Sequence, residues 1–417
     1  MRNTTLQEDA LAIALRWSTE MQLSRLIEAR LNEVLASGGP VDVVAIGKAS
    51  REMAAATRRI LGARAHRQIV VSDVGDEVSD FRDVVIVGEH PVPGAKSLSA
   101  GDAVLTFLGE PDHAESVVFL LSGGASSLCV VPAPPLTLED LGEVWRGALR
   151  AGLDITSLNQ IRASTSLIGG GAMLRHVRAQ RSTSLILVDN VVSGAEWVAS
   201  AMTYDYEPTS REVESLGASI AVDESLRSKM RTAFANRRTF MEQELGPEHR
   251  NSVVAEPAMM LTWAHAEATR RGYEVIDMGS RVSGDVVAVV SEWGEALRAA
   301  GPRSAILGVG EVTVRVDGPG EGGRCQEFAW RMARELSLEP RDAVFLARSS
   351  DGRDFVRGVS GAWVSNDTWA QIGDRGLNWG DVARTHNTYP ALAALGRLIP
   401  GGHTGWNLCD IYVTLVD

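Results

Sequence analysis

A lysine stands directly after a predicted buried strand, where a phosphate could bind. Lys48 is one of only three lysines, with Lys96 and Lys229, in a chain whose lysines and arginines total 41. An ammonium group is a compact charge with three rotatable donors, and it follows a moving phosphate better than a rigid guanidinium fork does. Gly47 permits close approach of the backbone. We interpret Lys48 as phosphate-binding, with a surface lysine after a strand as the alternative.

A glycine- and serine-rich segment follows another predicted strand, at residues 117–121. The segment contains Ser122, Gly123, Gly124, Ala125 and Ser126. Its glycines let the backbone approach a ligand, and its serines can cap a helix and direct amides at an anion. A tight strand-to-helix turn explains the same pattern equally well.

A second glycine-rich segment precedes a predicted helix that begins at Arg324. Gly320, Gly322 and Gly323 supply the glycines. The helix dipole, the first amides and the guanidinium group would all suit a phosphate. A β-hairpin turn would use the glycines but not the arginine.

Asn159 and Arg162 precede a glycine triplet at residues 169–171. The pattern indicates either another anion-binding opening or an ordinary loop. Two standard nucleotide motifs are absent: Asp42 stands where a GxxxxGK[ST] motif around Lys48 needs its first glycine, and no GxGxxG follows the first strand. We therefore predict neither a P-loop nor a dinucleotide site of the usual kind.

Composition restricts the class of protein. With 417 residues and 45% hydrophobic content, the chain can form two α/β domains. A net charge of −12 disfavours nucleic acid as a partner and leaves a small-molecule substrate. Three widely spaced cysteines without a CxxC pair indicate a reducing compartment. We find neither a signal-peptide pattern nor a membrane span, so we expect a cytoplasmic protein, with a homodimer left open.

The predicted elements alternate between strands and helices. Apolar positions within residues 8–36 predict an opening helix or helix pair. Short β-branched runs predict strands at 41–46, 68–71, 84–87, 117–121 and 184–188 and, after a polar stretch at 244–251, at 273–278, 304–309, 312–316, 343–347 and 411–416. Such alternation indicates parallel strands with crossover helices. The expected fold is therefore α/β, with two doubly wound, Rossmann-like domains at 1–245 and 252–417 and a ligand cleft between them.

Taken in order, the motifs of this chain resemble those of the glycerate 2-kinase family, whose C-terminal portion is called the MOFRL domain. The resemblance covers nearly the whole sequence. It rests on IGKA (46–49), HPVP (90–93), LSGGASSL (121–128), LNQIR (158–162), GEGGRCQEF (320–328), SDG (350–352) and TGWNLCD (404–410).

The resemblance implies transfer of the γ-phosphoryl group of ATP, with Mg²⁺, to the 2-hydroxyl of D-glycerate. The family's catalytic lysine and arginine correspond to Lys48 and Arg324, so Arg324→Ala is expected to reduce turnover far more than the melting temperature. Asp189 or Asp351 would hold Mg²⁺ or accept the acceptor's proton, although Asp351 could instead form an Asx turn. His90 is interpreted as a loop-ordering residue rather than a base.

The same resemblance implies two groups of binding residues. The nucleotide would be bound by Gly47, Ser122, Gly123, Gly124, Ala125, Ser126, Gly320, Gly322 and Gly323. The acceptor would be bound by Asn159, Arg162, Glu311, Gln326 and Asn407.

Some positions depart from the family pattern. Gly169 and Ala172 stand where the family has a lysine and an arginine, Cys325 replaces an asparagine, and the acidic segment at 188–203 is altered. From this loss of charge we hypothesise an acceptor that is larger or less anionic than D-glycerate, with Trp197 or Trp406 lining an enlarged space. Three alternatives remain: a kinase of a specialised pathway, an oxidoreductase acting on hydroxypyruvate, and a non-catalytic ligand-binding relative.

Overall fold

The chain folds into two compact units. The computed structural model describes residues 2–34, 38–79, 83–191, 194–242, 248–402, 404 and 406–417. The N-terminal unit comprises residues 23–188 and 192–255, and the C-terminal unit comprises residues 1–22, 189–191 and 256–417. The opening helix α1 (Arg2–Glu20) therefore groups with the C-terminal unit. The predicted domains, 1–245 and 252–417, had placed this helix with the first domain.

The N-terminal unit contains a seven-stranded sheet and its covering helices. Its elements are α2 (Leu23–Val34), β1 (Val41–Ile46), α3 (Ser50–Leu61), β2 (Ala65–Ser72), β3 (Val78–Ser79), β4 (Asp83–Val87), α4 (Ala95–Gly109), β5 (Ser116–Leu121), α5 (Ala125–Leu128), α6 (Leu138–Arg150), α7 (Ile155–Ser164), β6 (Arg181–Leu187), α8 (Ser210–Ser219), α9 (Glu224–Met241) and β7 (His249–Ala255). Short 3₁₀ helices lie at Gly62–Arg64, Ala172–His176 and Ala195–Ser200.

The strand order of this sheet places two strand ends side by side at its centre. The order is β3-β4-β2-β1-β5-β6-β7, with every neighbouring pair parallel except β3 and β4. The chain winds outward in one direction from β1 and in the other from β5, so a topological switch point lies between them. Ile46 pairs with Leu121, and both strands are buried throughout. Gly47 and Ser122 therefore leave the sheet at the same edge.

The polar stretch at residues 244–251, where the sequence places the domain boundary, includes the first residues of strand β7. His249 and Asn251 look unsuited to a strand, but neighbouring side chains satisfy them. His249 Nδ1 lies 2.8 Å from Ser182 Oγ, and Thr203 Oγ1 donates to Asn251 Oδ1 at 2.8 Å. Residues 243–247 lie outside the described part of the chain.

The C-terminal unit contains a second seven-stranded sheet. Besides α1, its elements are α10 (Pro257–Arg270), β8 (Glu274–Asp277), β9 (Val282–Asp285), α11 (Val286–Ala299), β10 (Ser304–Thr313), α12 (Arg324–Ser337), β11 (Ala343–Ser349), β12 (Val359–Ser365), α13 (Thr368–Asp374), α14 (Trp379–Thr385), α15 (Thr388–Ala394), β13 (Leu398–Pro400) and β14 (Asp410–Val416).

The α/β class with two domains is confirmed, but the second sheet is mixed rather than parallel. The strand order is β13-β12-β11-β14-β10-β8, with β9 also pairing with β10. The last strand, β14, runs antiparallel between β10 and β11. Two pairs among the described strands of this sheet are parallel: β8 with β10, and β9 with β10. A run of apolar residues predicts a strand but not its direction, which explains the error.

Aromatic rings form the core on which α12 rests. Trp293 contacts Phe328, Phe345 and Tyr412 edge to face, at centroid distances of 5.6, 6.0 and 5.9 Å. Because Phe328 lies on the buried face of α12, this cluster fixes the helix against the sheet. The position of Arg324, the first residue of α12, is therefore set by the core. No helix in the described part of the chain is long and apolar enough to cross a membrane.

Candidate functional site

The loops that follow the parallel strands β1 and β5 lie against each other and hold Lys48 at the switch point. Lys48 N donates to Gly123 O at 2.9 Å, and Gly47 N donates to Val71 O at 3.1 Å. Gly47 has φ +130°, and a Cβ there would lie 2.2 Å from Ser122 Oγ. Only glycine fits this close approach. A glycine is therefore required at position 47, because it lets the loop after β1 approach the loop after β5 closely.

The Lys48 side chain passes over Gly124 beside His90. A Cβ on Gly124 would lie 3.2 Å from Lys48 Cγ, 3.3 Å from Lys48 Cε and 3.3 Å from His90 Cδ2. The side chain of Lys48 is exposed, and within the described residues its ammonium group has neither an ion-pair nor a hydrogen-bond partner. The predicted phosphate-binding lysine therefore presents an uncompensated charge.

Three basic side chains share this opening. Burial lowers the pKa of His90 first, the charges of Lys48 and Arg162 lower it further, and Asp73 opposes them. Arg162 stacks on Trp145, with its Cζ 4.4 Å from the ring centroid, and its Nε has no hydrogen-bond partner. Burial lowers the pKa of Arg162 to about 10. A cation that is largely buried without a carboxylate favours an anionic ligand.

Hydroxyl and amide side chains in the same unit as Arg162 form hydrogen bonds with one another. Ser126 Oγ lies 2.7 Å from Ser200 Oγ, which donates to Asn159 Oδ1 at 3.4 Å. The cavity between these groups and Trp145 measures only about 10 Å³, room for roughly one water molecule. This cavity is therefore too small to hold a substrate.

The glycine triplet at 169–171 packs against protein. Gly170 N donates to Ser200 O at 3.0 Å and Gly171 N to Ala201 O at 2.7 Å, while buried Arg237 binds the carbonyls of the loop. Its amides are therefore not free to bind an anion, and the ordinary-loop interpretation agrees better with the structure.

The three substituted positions themselves are tightly packed, and a larger or less anionic acceptor stays a prediction. A Cβ on Gly169 would lie 3.0 Å from Ala163 Cα, and Ala172 and Cys325 are fully buried. The two tryptophans pack on other rings: Trp197 on Tyr206 at 4.9 Å, and Trp406 on Trp17 at 6.1 Å.

In the C-terminal unit, Arg324 lies between two carboxylates. Its Nε and Nη2 donate to Asp410 at 2.6 and 3.0 Å, and its Nη1 donates to Glu311 at 2.5 Å. Burial lowers the pKa of Arg324, but the charges of Asp410 and Glu311 outweigh burial and raise it overall. Burial also raises the pKa of Glu311, and nearby Asp189 and Asp351 add to that effect. Arg324 is thus already neutralised by protein.

Asp189 and Asp351 both belong to this acidic cluster. Asn407 Nδ2 donates to Asp189 Oδ2 at 3.4 Å. Asp351 Oδ1 accepts from Ser349 Oγ at 2.8 Å and from Arg353 N at 2.7 Å, which is the alternative Asx turn. Carboxylate oxygens suit Mg²⁺, which commonly uses one or two of them together with water and substrate phosphates. Magnesium binding by Asp189 and Asp351 stays a prediction, and no group of three or more metal-ligating side chains occurs in the described chain.

The glycine-rich segment before α12 has a packing role. A Cβ on Gly323 would lie 2.2 Å from Asp354 Cγ, and Gly320 N donates to Thr385 O at 2.9 Å. Asp354 accepts from the amides of Cys325 and Gln326 at 3.0 and 2.8 Å, so the chain's own carboxylate occupies the helix N-terminus. In the described residues of this segment, the helix N-terminus that the sequence predicts as an anion-binding site is therefore not open to a ligand.

The same contacts change the expected roles of nearby residues. A Cβ on Gly322 would lie 2.1 Å from Thr388 Oγ1, so this glycine also packs against protein. Gln326, expected to bind substrate, is fully buried, and its side-chain amide donates to Asp354. Nucleotide binding by Gly320, Gly322 and Gly323 stays a prediction.

Sequence reasoning did not select three residues that organise the site: Asp354, Asp410 and Trp145. Asp410 is the last residue of the TGWNLCD motif, so the motif itself contained a signal. Trp145 and Asp354 carry no comparable local signal, because their partners lie on other elements of the fold.

Comparison with known proteins gives consistent matches along the chain. Residues 5–235 match a domain of unknown function (DUF4147), and residues 304–410 match the MOFRL family. A glycerate 2-kinase from Pyrococcus horikoshii is 28% identical over 91% of this chain and 88% of its own length. A protein from Agrobacterium vitis, provisionally named a hydroxypyruvate reductase, is 30% identical over 90% of this chain and 86% of its own length.

A solved structure has the same fold. The crystal structure of glycerate kinase from Thermotoga maritima matches with a TM-score of 0.85 at 23% identity, and the match covers 99% of this chain and 100% of that one. At this identity the structural match supports the fold alone.

Proposed function

The chain belongs to the glycerate kinase family, and from this premise we propose that it transfers the γ-phosphoryl group of ATP to a hydroxyl of D-glycerate or a closely related hydroxy acid. Support comes from the matches to DUF4147 and MOFRL and from relatives named as glycerate 2-kinases. The chemistry of the switch point agrees with this activity.

The observation that carries the proposal is the pair of uncompensated cations, Lys48 and Arg162. Both charges lower the pKa of His90, and neither is paired with a carboxylate in the described part of the chain. In a protein with net charge −12, cations left unpaired at a sheet switch point favour an anionic substrate. A nucleoside triphosphate and a small hydroxy acid both meet that requirement.

Phosphoryl transfer depends mainly on placement and on neutralisation of charge. We assign Lys48 to the transferring phosphate, since its ammonium is exposed on a stem fixed by the Lys48 N to Gly123 O bond. We assign Arg162, stacked on Trp145, to the acceptor's carboxylate. Such a charge-assisted contact typically contributes about 1.5–3 kcal/mol.

Arg324 is assigned a positioning role. Its guanidinium holds Glu311 and Asp410, and the resulting cluster includes Asp189 and Asp351. These two aspartates would hold Mg²⁺, which when bound would neutralise charge on the β- and γ-phosphates of ATP.

The test is phosphorylation of D-glycerate by the purified full-length chain with ATP and Mg²⁺, with the product identified by ³¹P and ¹³C NMR. We expect a monophosphate of D-glycerate to form and ADP to be released in equal amount. A parallel reaction with hydroxypyruvate and NADH tests the oxidoreductase alternative. NADH oxidation without any phosphorylated product would overturn the proposal.

A further inference from the structure

The loop between β11 and β12 presents an exposed aromatic ring between two arginines. Inward and outward side chains alternate here: Asp354 and Val356 are buried, whereas Arg353, Phe355 and Arg357 are exposed. Phe355 is 84% exposed, more than any other large hydrophobic residue in the described chain. Burial of a phenylalanine side chain is normally favourable.

The backbone conformation at Phe355 is unfavourable for this residue type. Phe355 has φ +62°, and the turn around it is closed by Val356 N donating to Asp354 O at 2.7 Å. A bulky residue without a polar side chain rarely adopts the left-handed region, which glycine and asparagine tolerate far better. The local structure therefore holds the ring outward at a conformational cost.

The turn is fixed rather than loosely attached. Asp354 immediately precedes Phe355, and its carboxylate accepts from the amides of Cys325 and Gln326. Those amides belong to the first turn of α12, the helix that begins with Arg324. Phe355 is thereby held next to the helix terminus that also positions the acidic cluster.

The flanking arginines add charge to this surface. In the described part of the chain, neither the Arg353 nor the Arg357 guanidinium makes an ion pair or a hydrogen bond, although the protein has 53 acidic residues. Arg353 precedes the ring by two residues and Arg357 follows it by two. A flat apolar ring with a cation on either side is complementary to a planar base that carries phosphate groups.

We propose that Phe355, Arg353 and Arg357 form the nucleotide subsite of this protein, with the purine base stacked on the Phe355 ring and the phosphates paired with the arginines. The inference rests on the proposed function, since it names where the ATP of that reaction binds. It assigns base recognition to a turn of the C-terminal unit outside the glycine-rich segment that precedes α12.

The experiment measures binding of a non-hydrolysable ATP analogue and of inorganic tripolyphosphate by calorimetry, using the full-length chain. Phe355→Gly removes the ring and suits φ +62°, so its thermal midpoint should equal or exceed that of the wild type. We expect this variant to bind the analogue about tenfold more weakly and tripolyphosphate equally well, because only the base is lost. Phe355→Trp should restore binding of the analogue.

Two further variants complete the design. Arg353→Ala/Arg357→Ala should weaken both ligands and reduce the salt dependence of binding. Leu338→Ala is the matched control, since Leu338 is 72% exposed and follows the opposite end of α12. It should bind both ligands as the wild type does.

Equal affinity of the analogue for the wild type and Phe355→Gly would overturn the inference. So would an unchanged affinity accompanied by a loss of self-association, which would assign the ring to a protein interface. Loss of analogue binding in Phe355→Gly, in a protein that phosphorylates no hydroxy acid, would support the subsite and contradict only the proposed function.

Discussion

At the scale of single residues, Arg324 and Lys48 differ in a way that their charges alone do not reveal. Lys48 has no carboxylate partner among the described residues, whereas Arg324 donates three hydrogen bonds to Asp410 and Glu311. An arginine in such a cluster cannot be removed without leaving a buried charge behind. The sequence alone predicts that Arg324→Ala reduces turnover far more than the melting temperature. The structure instead leads us to expect a loss of stability as well.

We predict that Arg324→Ala lowers the free energy of unfolding by about 3–5 kcal/mol, because Asp410 is fully buried and would lose its partner. The double variant Arg324→Ala/Asp410→Asn should recover at least half of that loss. Denaturant unfolding of the two variants and the wild type measures the effect. Equal stability of Arg324→Ala and the wild type would show that water compensates Asp410.

His90 should make anion binding at Lys48 and Arg162 dependent on pH. Its pKa is lowered from 6.5 by burial and by those two cations, so the ring is neutral at pH 7 and gains a charge only as pH falls below 6.5. A third positive charge strengthens anion binding, so the affinity for sulfate, which stays dianionic, should rise as pH falls from 7 to 5. In His90→Gln this rise should be absent; a rise of the same size in both proteins would exclude His90 as its source.

Local sequence identified the cations of the site but not what surrounds them. Lys48 and Arg324 stand out because each is adjacent to glycine and an element boundary. Asp354 and Asp410 reach Arg324 or its helix from positions distant in sequence, and Trp145 lies on a different helix from Arg162. Contacts of this kind arise from tertiary packing, which no local spacing encodes.

At the scale of elements, the close contact between the loops that follow β1 and β5 is the feature on which the site depends. The predicted strand at residues 41–46 is confirmed to the residue, because a run that is apolar except at Asp42 is typical of a central parallel strand. The direction of β14 and the existence of β7 were not predictable in this way. The direction of β14 depends on β10 and β11, between which it lies. The polar edge strand β7 forms because neighbouring residues satisfy its polar side chains.

The variant Gly47→Ala tests the close contact between Gly47 and Ser122. The added Cβ would lie 2.2 Å from Ser122 Oγ and 2.6 Å from Ser122 O, at φ +130°, so we expect a loss of more than about 2 kcal/mol in stability. Activity should fall further than stability because Lys48 moves with the loop. Gly109→Ala is the control, since nothing lies within 4 Å of its Cβ position. If both variants unfold like the wild type, the close contact is not a constraint.

At the scale of the whole molecule, helix α1 is tied to the rest of the C-terminal unit by ion pairs around the buried carboxylate of Glu267. Arg271 bonds both Asp9 of α1 and Glu267 of α10, and Arg270 also bonds Glu267. These bonds lower the pKa of Glu267 to about 2 from 4.5, with the Arg270 hydrogen bond as the largest cause. The network explains why α1 groups with residues far along the sequence.

Because the folded-state pKa of Glu267 lies below its unfolded value, its contribution is present above pH 4.5 and is lost as pH falls toward 2. The shift corresponds to at most about 3 kcal/mol. Glu267→Gln should therefore lower stability at pH 7 but have little effect near pH 2, as measured by denaturant unfolding. The control is Glu274→Gln, the same change at an exposed glutamate. An effect of Glu267→Gln that does not depend on pH would contradict the lowered pKa of Glu267.

The central claim, that the ammonium group of Lys48 acts on the transferring phosphate, is tested most directly by the steady-state rate of D-glycerate phosphorylation in Lys48→Arg. We predict a loss of more than tenfold in kcat/KM, about 1.4 kcal/mol of transition-state stabilisation, with an unchanged melting temperature. Lys96→Arg, a change of the same type at an exposed lysine, should keep full activity. A Lys48→Arg enzyme that retains more than a tenth of the wild-type kcat/KM would contradict the claim.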